Sequence, residues 1–506
     1  MMMNKLIAFP MIAAVAMLFV SAETPGAERK VIIGFHKVPT ATEKDFVESR
    51  QGRIKKEFKR VKAVVVEIDE AELPGLLSSP DVAYIEEDAR IQAIDPVAGT
   101  SLMTAAAAAT SIEYENAWSV AHIGAEGVHN QSITGAGVSV AVLDTGIDYN
   151  HPDLDMNYSG GDNFISLDPN YHDPMDDSYN SHGTHVAGVI AAELDGAGIV
   201  GVAPDASIYA VKVLDGAGFG SVSSVVSGID WAIANQMDIV NMSIGFSSDF
   251  QALADACAQA EAAGVLLVAA AGNTYGGPVL YPAAYPSVIA VAATTIYDEI
   301  APVSSAGPEM ELVAPGLNVY STTVGGGHGF LGGTSQAAPH VSGLAALILS
   351  AGTFDDIDGD GLINHHDVRL MMRNTAIDLG DVGFDQIHGY GLVSASNALP
   401  GTVPNAITHL MIEKHKGSSK KDWENITIAD GVFDVTIANT SLKGIKVLVF
   451  EGKKVRRDLS QKFCFKKQGA PQEVSFSIDA TGASYKVVFS PKGPQGSLAD
   501  AYIQKQ

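Results

Sequence analysis

Val138-Ser139-Val140-Ala141-Val142-Leu143 runs directly into Asp144-Thr145-Gly146. A short, continuous apolar run rich in β-branched residues and ending at a turn is the pattern of a strand buried on both faces. The pattern recurs at residues 207–213, 239–242, 265–270 and 288–293, with helical stretches at 182–193, 222–235 and 252–263 between. Strands apolar on both sides and separated by helices predict a doubly wound, mostly parallel α/β domain with helices on both faces of the sheet. Such sheets bind ligands outside the carboxyl ends of their strands. Asp144 emerges at one of those ends.

The 506 residues are 46% hydrophobic, enough for two or three domains with a substantial core, which excludes a disordered or fibrous chain. The formal charge of −26 makes nucleic acid and anionic membrane surfaces poor partners. Its distribution is uneven: residues 23–95 carry 12 basic and 15 acidic side chains, 111–400 carry 3 and 33, and 401–506 carry 16 and 10. Three compositional blocks imply three units, with boundaries near 95–110 and near 400.

Residues 1–22 read as an export signal, with Lys5, an apolar run over 6–20 and the small-residue cleavage site Val20-Ser21-Ala22. The alternative is a retained anchor, against which the run falls short of the roughly 20 apolar residues a spanning helix needs. Residues 29–94 alternate as β-α-β-β-α-β, the order of a small split-βαβ, ferredoxin-like α+β domain. The alanine-rich stretch 95–112 has no core-forming pattern and reads as a linker open to proteolysis. Residues 405–506 show short alternating strands at 433–437, 446–450, 474–478 and 485–489, the pattern of a β-sandwich. Cys257 and Cys464 fall in different blocks, so no disulfide framework is expected.

Asp144-Thr145-Gly146 occurs once, whereas an aspartic protease needs two such aspartates sharing a proton. His182 opens the helical stretch His182-Gly183-Thr184-His185-Val186-Ala187-Gly188; without a His-Glu-x-x-His pattern the two histidines argue poorly for zinc. Ser335, in Gly332-Gly333-Thr334-Ser335-Gln336-Ala337-Ala338-Pro339-His340-Val341-Ser342-Gly343, precedes an apolar helix. Its N–H falls among the unpaired donors of a helix start, which suits an anion beside the hydroxyl; an N-cap role is the plain alternative.

Taken together, Val142-Leu143-Asp144-Thr145-Gly146-Ile147-Asp148 with His151-Pro152-Asp153-Leu154, the His182 segment and the Ser335 segment, in that order, resemble the subtilisin-like serine peptidases, or subtilases. The resemblance covers 113–400. It implies a serine endopeptidase acting on proteins or peptides, with Asp144, His182 and Ser335 as triad and Asn273, in Ala270-Ala271-Gly272-Asn273, as the side-chain donor of the oxyanion hole. A serine hydroxyl is a weak nucleophile, so the histidine must take its proton while the aspartate fixes the imidazole tautomer. Also by resemblance, Gly218-Phe219-Gly220 and Ser243-Ile244-Gly245 are the two edges between which an extended peptide pairs through its backbone. Leu280, before Tyr281-Pro282, departs from the glycine found in well-known members near the base of the pocket for the residue preceding the cut, and Gln336 replaces a frequent methionine. The resemblance further makes 29–94, with Val82-Ala83-Tyr84-Ile85-Glu86-Glu87-Asp88, an inhibitor propeptide acting within its own chain and removed by a cut between 94 and 111. It also implies a calcium held by Asp153, Asp195 and the carbonyls of Glu193, Ala197 and Ile199.

A second calcium loop is legible from spacing. Asp356, Asp358, Asp360 and Asp367 occupy positions 1, 3, 5 and 12 of a loop with glycine at 6, and Leu362 offers the carbonyl at 7. The final aspartate, in place of glutamate, is similar to dockerin loops. These readings add up to a secreted (extracellular or periplasmic), calcium-stabilised, monomeric zymogen with no membrane span once the signal is lost. A silent calcium-dependent binding module is the rival, although dockerins pair two loops. A lipase-type esterase would need Gly-x-Ser-x-Gly, and Gly333-Thr334-Ser335-Gln336-Ala337 lacks its second glycine.

Overall fold

The computed structural model describes residues 27–94, 96–98, 112–165 and 171–399, apart from 353, 355, 358 and 360, together with strands between 407 and 505. The export signal and most of the linker lie outside the described residues. The chain divides into two units, at residue 399.

The first unit opens with β1 (Glu28–Phe35), α1 (Ala41–Ser49), β2 (Arg53–Glu57), β3 (Ala63–Asp69), α2 (Leu73–Leu77) and β4 (Val82–Glu87), in an antiparallel sheet of order β2-β3-β1-β4. Alternation decides what each face meets: Val31, Ile33, Val64 and Val66 pack with Val47, Leu73 and Leu76 from the two helices. Ile32, Ala63 and Val65 instead belong to the core that continues into the α/β domain. The polar strand β2, Arg-Ile-Lys-Lys-Glu, lies at the edge of this sheet, where little burial is needed. The stretch 82–94 does not form one strand. It breaks after β4, and β5 (Arg90–Gln92) pairs elsewhere, as does β6 (Val97–Ala98) within the expected linker.

The α/β domain is built on β7 (Ser139–Asp144), β8 (Tyr158–Asn163), β9 (Ser207–Lys212), β11 (Ile239–Met242), β12 (Leu266–Ala270), β13 (Val288–Thr294) and β14 (Met310–Pro315), with β10 (Phe219–Ser221) outside the sheet. All seven run parallel in the order β14-β13-β12-β11-β7-β9-β8. Along β7, Val140 and Val142 pack on one side with α3 (His182–Ala191) and α6 (Thr334–Ala351). Ala141 and Leu143 pack on the other with α4 (Val222–Ala234) and α5 (Gln251–Ala262). The five expected strands and three expected helices are present within a residue or two of their expected bounds. The outer strands β8 and β14 were not expected; β8 reads Tyr-Ser-Gly-Gly-Asp-Asn, and its Gly161 approaches the Ala210 carbonyl so closely that a Cβ would lie 1.9 Å from it.

The three cations of residues 111–400 are all structural. Lys212 is 1% exposed and ion-paired to Asp177 at 2.7 Å. Arg369 and Arg373, on α7 (His365–Thr375), converge on the buried carboxylate of Glu311 in β14 at 2.6 and 2.7 Å. Cys257 is buried and unpaired in α5. In the second unit, residues 407–413, 498–505, 432–438 and 474–479 form one antiparallel sheet, and 424–429, 484–492, 444–451, 454–455 and 461–464 another. The four expected strands fall inside these.

Glu311→Ala, made in a Ser335→Ala background to prevent autolysis, strands two partly buried guanidinium groups. It is expected to cost about 3 kcal/mol and lower the melting midpoint by several degrees in differential scanning calorimetry.

Candidate active site

Asp144 ends β7 and His182 opens α3, and the fold joins them: the Asp144 carboxylate takes His182 Nδ1 at 2.7 Å, with both side chains fully buried. The carboxylate also accepts the Thr145 N–H at 2.7 Å. A proton on Nδ1 leaves the Nε2 lone pair as the basic end of the ring. The ring is held because the N-terminus of α3 is satisfied by side chains. His182 N–H donates to Ser178 Oγ (3.3 Å), Gly183 N–H to Thr145 Oγ1 (3.0 Å) and Thr184 N–H to Asp176 Oδ2 (3.0 Å). Asp176 also accepts from Thr145 Oγ1, Thr184 Oγ1 and Ser178 N–H, yet burial still pushes its carboxyl above the usual range. His185 is not a metal partner for His182. Its Nε2 lies 3.2 Å from the carbonyls of Val319 and Gly329, and burial lowers its pKa to about 3.

Ser335 lies in the first turn of α6, fully buried. Pro339 has no N–H for the Ser335 carbonyl one turn back, and Ser243 Oγ donates to that carbonyl instead, at 2.8 Å. The contact is reciprocal, since Ser335 Oγ donates to the Ser243 carbonyl at 3.3 Å. Behind them, Ser342 Oγ donates to Asn241 Oδ1 (2.9 Å) and Asn241 Nδ2 to Ser243 Oγ (3.1 Å). Asn273 follows β12. Its Oδ1 accepts from Thr334 N–H and Oγ1, both at 3.1 Å, which fixes the amide with Nδ2 beside Gly333. Sequence reasoning missed Asp176, Thr145, Asn241 and Thr334. A polar Asn241 inside the apolar run Ile-Val-Asn-Met was the available signal, since a buried amide needs partners.

The two expected cleft edges hold the protein's own residues 90–94. β10 pairs antiparallel with β5, the Ala93 N–H donates to the Gly218 carbonyl at 2.7 Å, and Ala93 bridges Ile244. Ile94 ends against Gly245. The Arg90 guanidinium sits 3.7 Å from the centre of the Phe219 ring. Two carboxylates anchor this segment on helix N-termini, where donors and dipole favour an anion. Asp88 accepts the Ser223 N–H and hydroxyl at the start of α4, and Glu86 accepts the N–H groups of Gln251 and Ala252 at the start of α5.

The expected calcium ligands are dispersed among protein donors. Asp153 Oδ2 takes His328 Nε2 at 2.7 Å and the Ile199 N–H at 3.0 Å. Glu193 accepts the Met156 N–H, and Asp195 the Ala197 N–H. The buried Glu113 accepts the N–H groups of Asp195 and Gly196. In the second loop, Asp356 accepts from Gly359 and Gly361, and Asp367 from Ile357 and Asn364. Asp358 and Asp360 lie outside the described residues. Among the described residues, no three His, Cys, Asp or Glu side chains gather to hold a metal ion.

Gly333 has φ +131°, and a Cβ there would lie 2.6 Å from Asn273 Nδ2. Gly333→Ala is therefore expected to fold but to displace the amide, lowering kcat about tenfold or more on a peptide substrate. A circular dichroism spectrum alongside the kinetics separates displacement from unfolding.

A sequence model described as the Subtilase family matches residues 135–391. Subtilisin E of Bacillus subtilis is 39% identical over 406 residues, covering 78% of this chain and 97% of its own. A thermostable alkaline protease of Halalkalibacterium halodurans is 39% identical over 388 residues, covering 76% and 97%. The chain thus belongs to the subtilase family and is a subtilisin-like serine endopeptidase.

Proposed function

We propose that this endopeptidase is made as a self-processing zymogen, exported, and stabilised by calcium, with Asp144, His182, Ser335 and Asn273 as its catalytic residues. The single observation that carries the catalytic assignment is the fully buried 2.7 Å contact between Asp144 and His182 Nδ1. In the reaction, Ser335 Oγ attacks the substrate carbonyl carbon as its proton passes to His182 Nε2. The oxyanion is met by Asn273 Nδ2 and the Ser335 N–H. His182 then gives the proton to the leaving amine as the C–N bond breaks, and Asp144 stabilises the imidazolium meanwhile. Water, activated by the same histidine, hydrolyses the acyl-enzyme. Asn273→Ala should lower kcat about 10²- to 10³-fold with little change in KM.

Residues 29–94 act as the propeptide. Their tail, lying along the peptide-binding edges and anchored by Asp88 and Glu86, blocks the cleft until it is cut away. The enzyme works as a monomer, with residues 405–506 as an appended β-sandwich. Among the described residues no helix is long and apolar enough to cross a membrane, and the export signal directs the chain out of the cytoplasm. Intact-mass analysis during expression tests processing: wild type is expected to lose its N-terminal block and Ser335→Ala to retain it, whereas equal processing of both would refute self-cleavage.

Calcium fits the loop 356–367, where Asp356, Asp358, Asp360, Asp367 and the Leu362 carbonyl supply the hard oxygen donors such an ion takes. Bound there, it would tie the end of α6 to the start of α7. The Asp153–Asp195 loop is a second calcium locus whose carboxylates must first release their present donors. Chelation is expected to lower the melting midpoint of wild type. Asp367→Asn should remove most of that sensitivity if the first loop dominates, and Asp195→Asn if the second does. An unchanged midpoint in wild type would dismiss calcium.

A further inference from the structure

The tail that lies in the cleft also shows which bond is presented and what the pocket accepts. Ile91 and Gln92 are in register with Gly220 and Phe219, and Ala93 donates to the Gly218 carbonyl. Further on, Val97 and Ala98 are in register with Gly332 and Leu331 of β15 (Gly327–Gly332), the strand that runs into Gly333, Thr334 and Ser335. The chain is thus paired through Ala93 at Gly218 and again from Val97 on the strand that leads to Ser335.

Among the described residues after Ala93 and before Val97, Ile94 is the one buried, with 5% exposure. A methyl group placed on Gly245 would lie 3.0 Å from Ile94 Cδ1 and 3.1 Å from Leu280 Cβ and Cδ1; one placed on Gly272 would lie 2.6 Å from Leu280 Cγ. Leu280 therefore fills the space between these two glycines, and Ile94 ends over the first. Leu280 is held in place by backbone bonds: its N–H donates to the Ala271 carbonyl, and Tyr281 exchanges two hydrogen bonds with Phe246, all at 2.9 Å.

Building on the self-processing reading above, we propose that the chain cuts itself after Ile94, and that Leu280 shortens the pocket so that aliphatic side chains of about isoleucine size are selected over aromatic ones before the cut. In that step the Ser335 Oγ–C bond to the Ile94 carbonyl forms and the C–N bond to residue 95 breaks. The Oγ proton reaches the leaving amine through His182, and water then releases the Ile94 carboxylate. Three residues upstream, Ile91 is buried in the same apolar cluster as Leu214, Val222 and Ile244 and supplies a second aliphatic anchor.

Two measurements on the full-length chain test this. Mass spectrometry and N-terminal sequencing of the first processing products should find a fragment ending at Ile94 and a mature chain beginning at residue 95. A wild-type first cut elsewhere overturns the bond assignment, whereas identical cutting of Ser335→Ala overturns the self-processing reading beneath it. With mature enzyme and peptides differing only before the scissile bond, kcat/KM for Ile, Val or Leu should exceed that for Phe or Tyr about tenfold or more. Leu280→Gly, with Leu280→Ala as the milder companion, should shift that ratio toward Phe by a comparable factor. A wild-type preference for Phe or Tyr, or an unchanged ratio in both variants, overturns the pocket assignment.

Discussion

A carboxylate with no exposure to water, closed against an imidazole equally buried, is the contact on which the rest of this structure depends. Removing a carboxylate from water costs several kcal/mol, on the order that an unpaired buried ion would impose on the whole fold. Asp144 is tolerated because the end of β7 offers the Thr145 N–H and the start of α3 offers His182 Nδ1. The first partner is the next residue in the chain, but the second is 38 residues away. α3 reaches its position only because Asp176, Thr145 and Ser178 take the N–H groups of its first turn, so a second buried carboxylate serves to aim the first one's partner.

Ser335, the proposed nucleophile, is positioned by the same logic applied to a carbonyl. Pro339 interrupts the hydrogen-bond ladder of α6 four residues after Ser335, and a helix interior would ordinarily leave that oxygen orphaned. Ser243, beyond the carboxyl end of β11, takes it, and Asn241 and Ser342 secure Ser243 in turn. A missing donor in one helix thereby becomes a tie to the central sheet, at Ser335 itself.

The strongly acidic middle block has few cations to neutralise it, and they are spent on architecture: Lys212 on Asp177, Arg369 and Arg373 on Glu311. The helix dipoles of the block take up anions from outside it. Asp88 and Glu86, contributed by the N-terminal block, sit on the starts of α4 and α5. Burial raises the Glu86 pKa to about 7 despite the two N–H groups it accepts, a measure of how far this contact is closed to solvent.

Much of the fold was legible in the sequence because its code is local. Continuous apolar runs separated by helical periods specify a parallel sheet covered on both sides, and the segments around Asp144, His182 and Ser335 announce their chemistry by the residues next to them. Edge strands escaped that reading. β8 buries little and so carries no apolar run, and the stretch 82–94 changes partner at its charged middle, Glu86-Glu87-Asp88, so that its two halves pair with different sheets. The supports of the site escaped it as well. Nothing near Asp176 in sequence says that it will collect the first turn of α3, nothing near Glu311 that two arginines about 60 residues on will close upon it, and nothing near Leu280 that Gly245 and Gly272 leave room for it. Periodicity and motif are properties of neighbours along the chain. Hydrogen-bond partners and pocket shape depend on which strands become neighbours in space, and only the order of the folded sheet decides that.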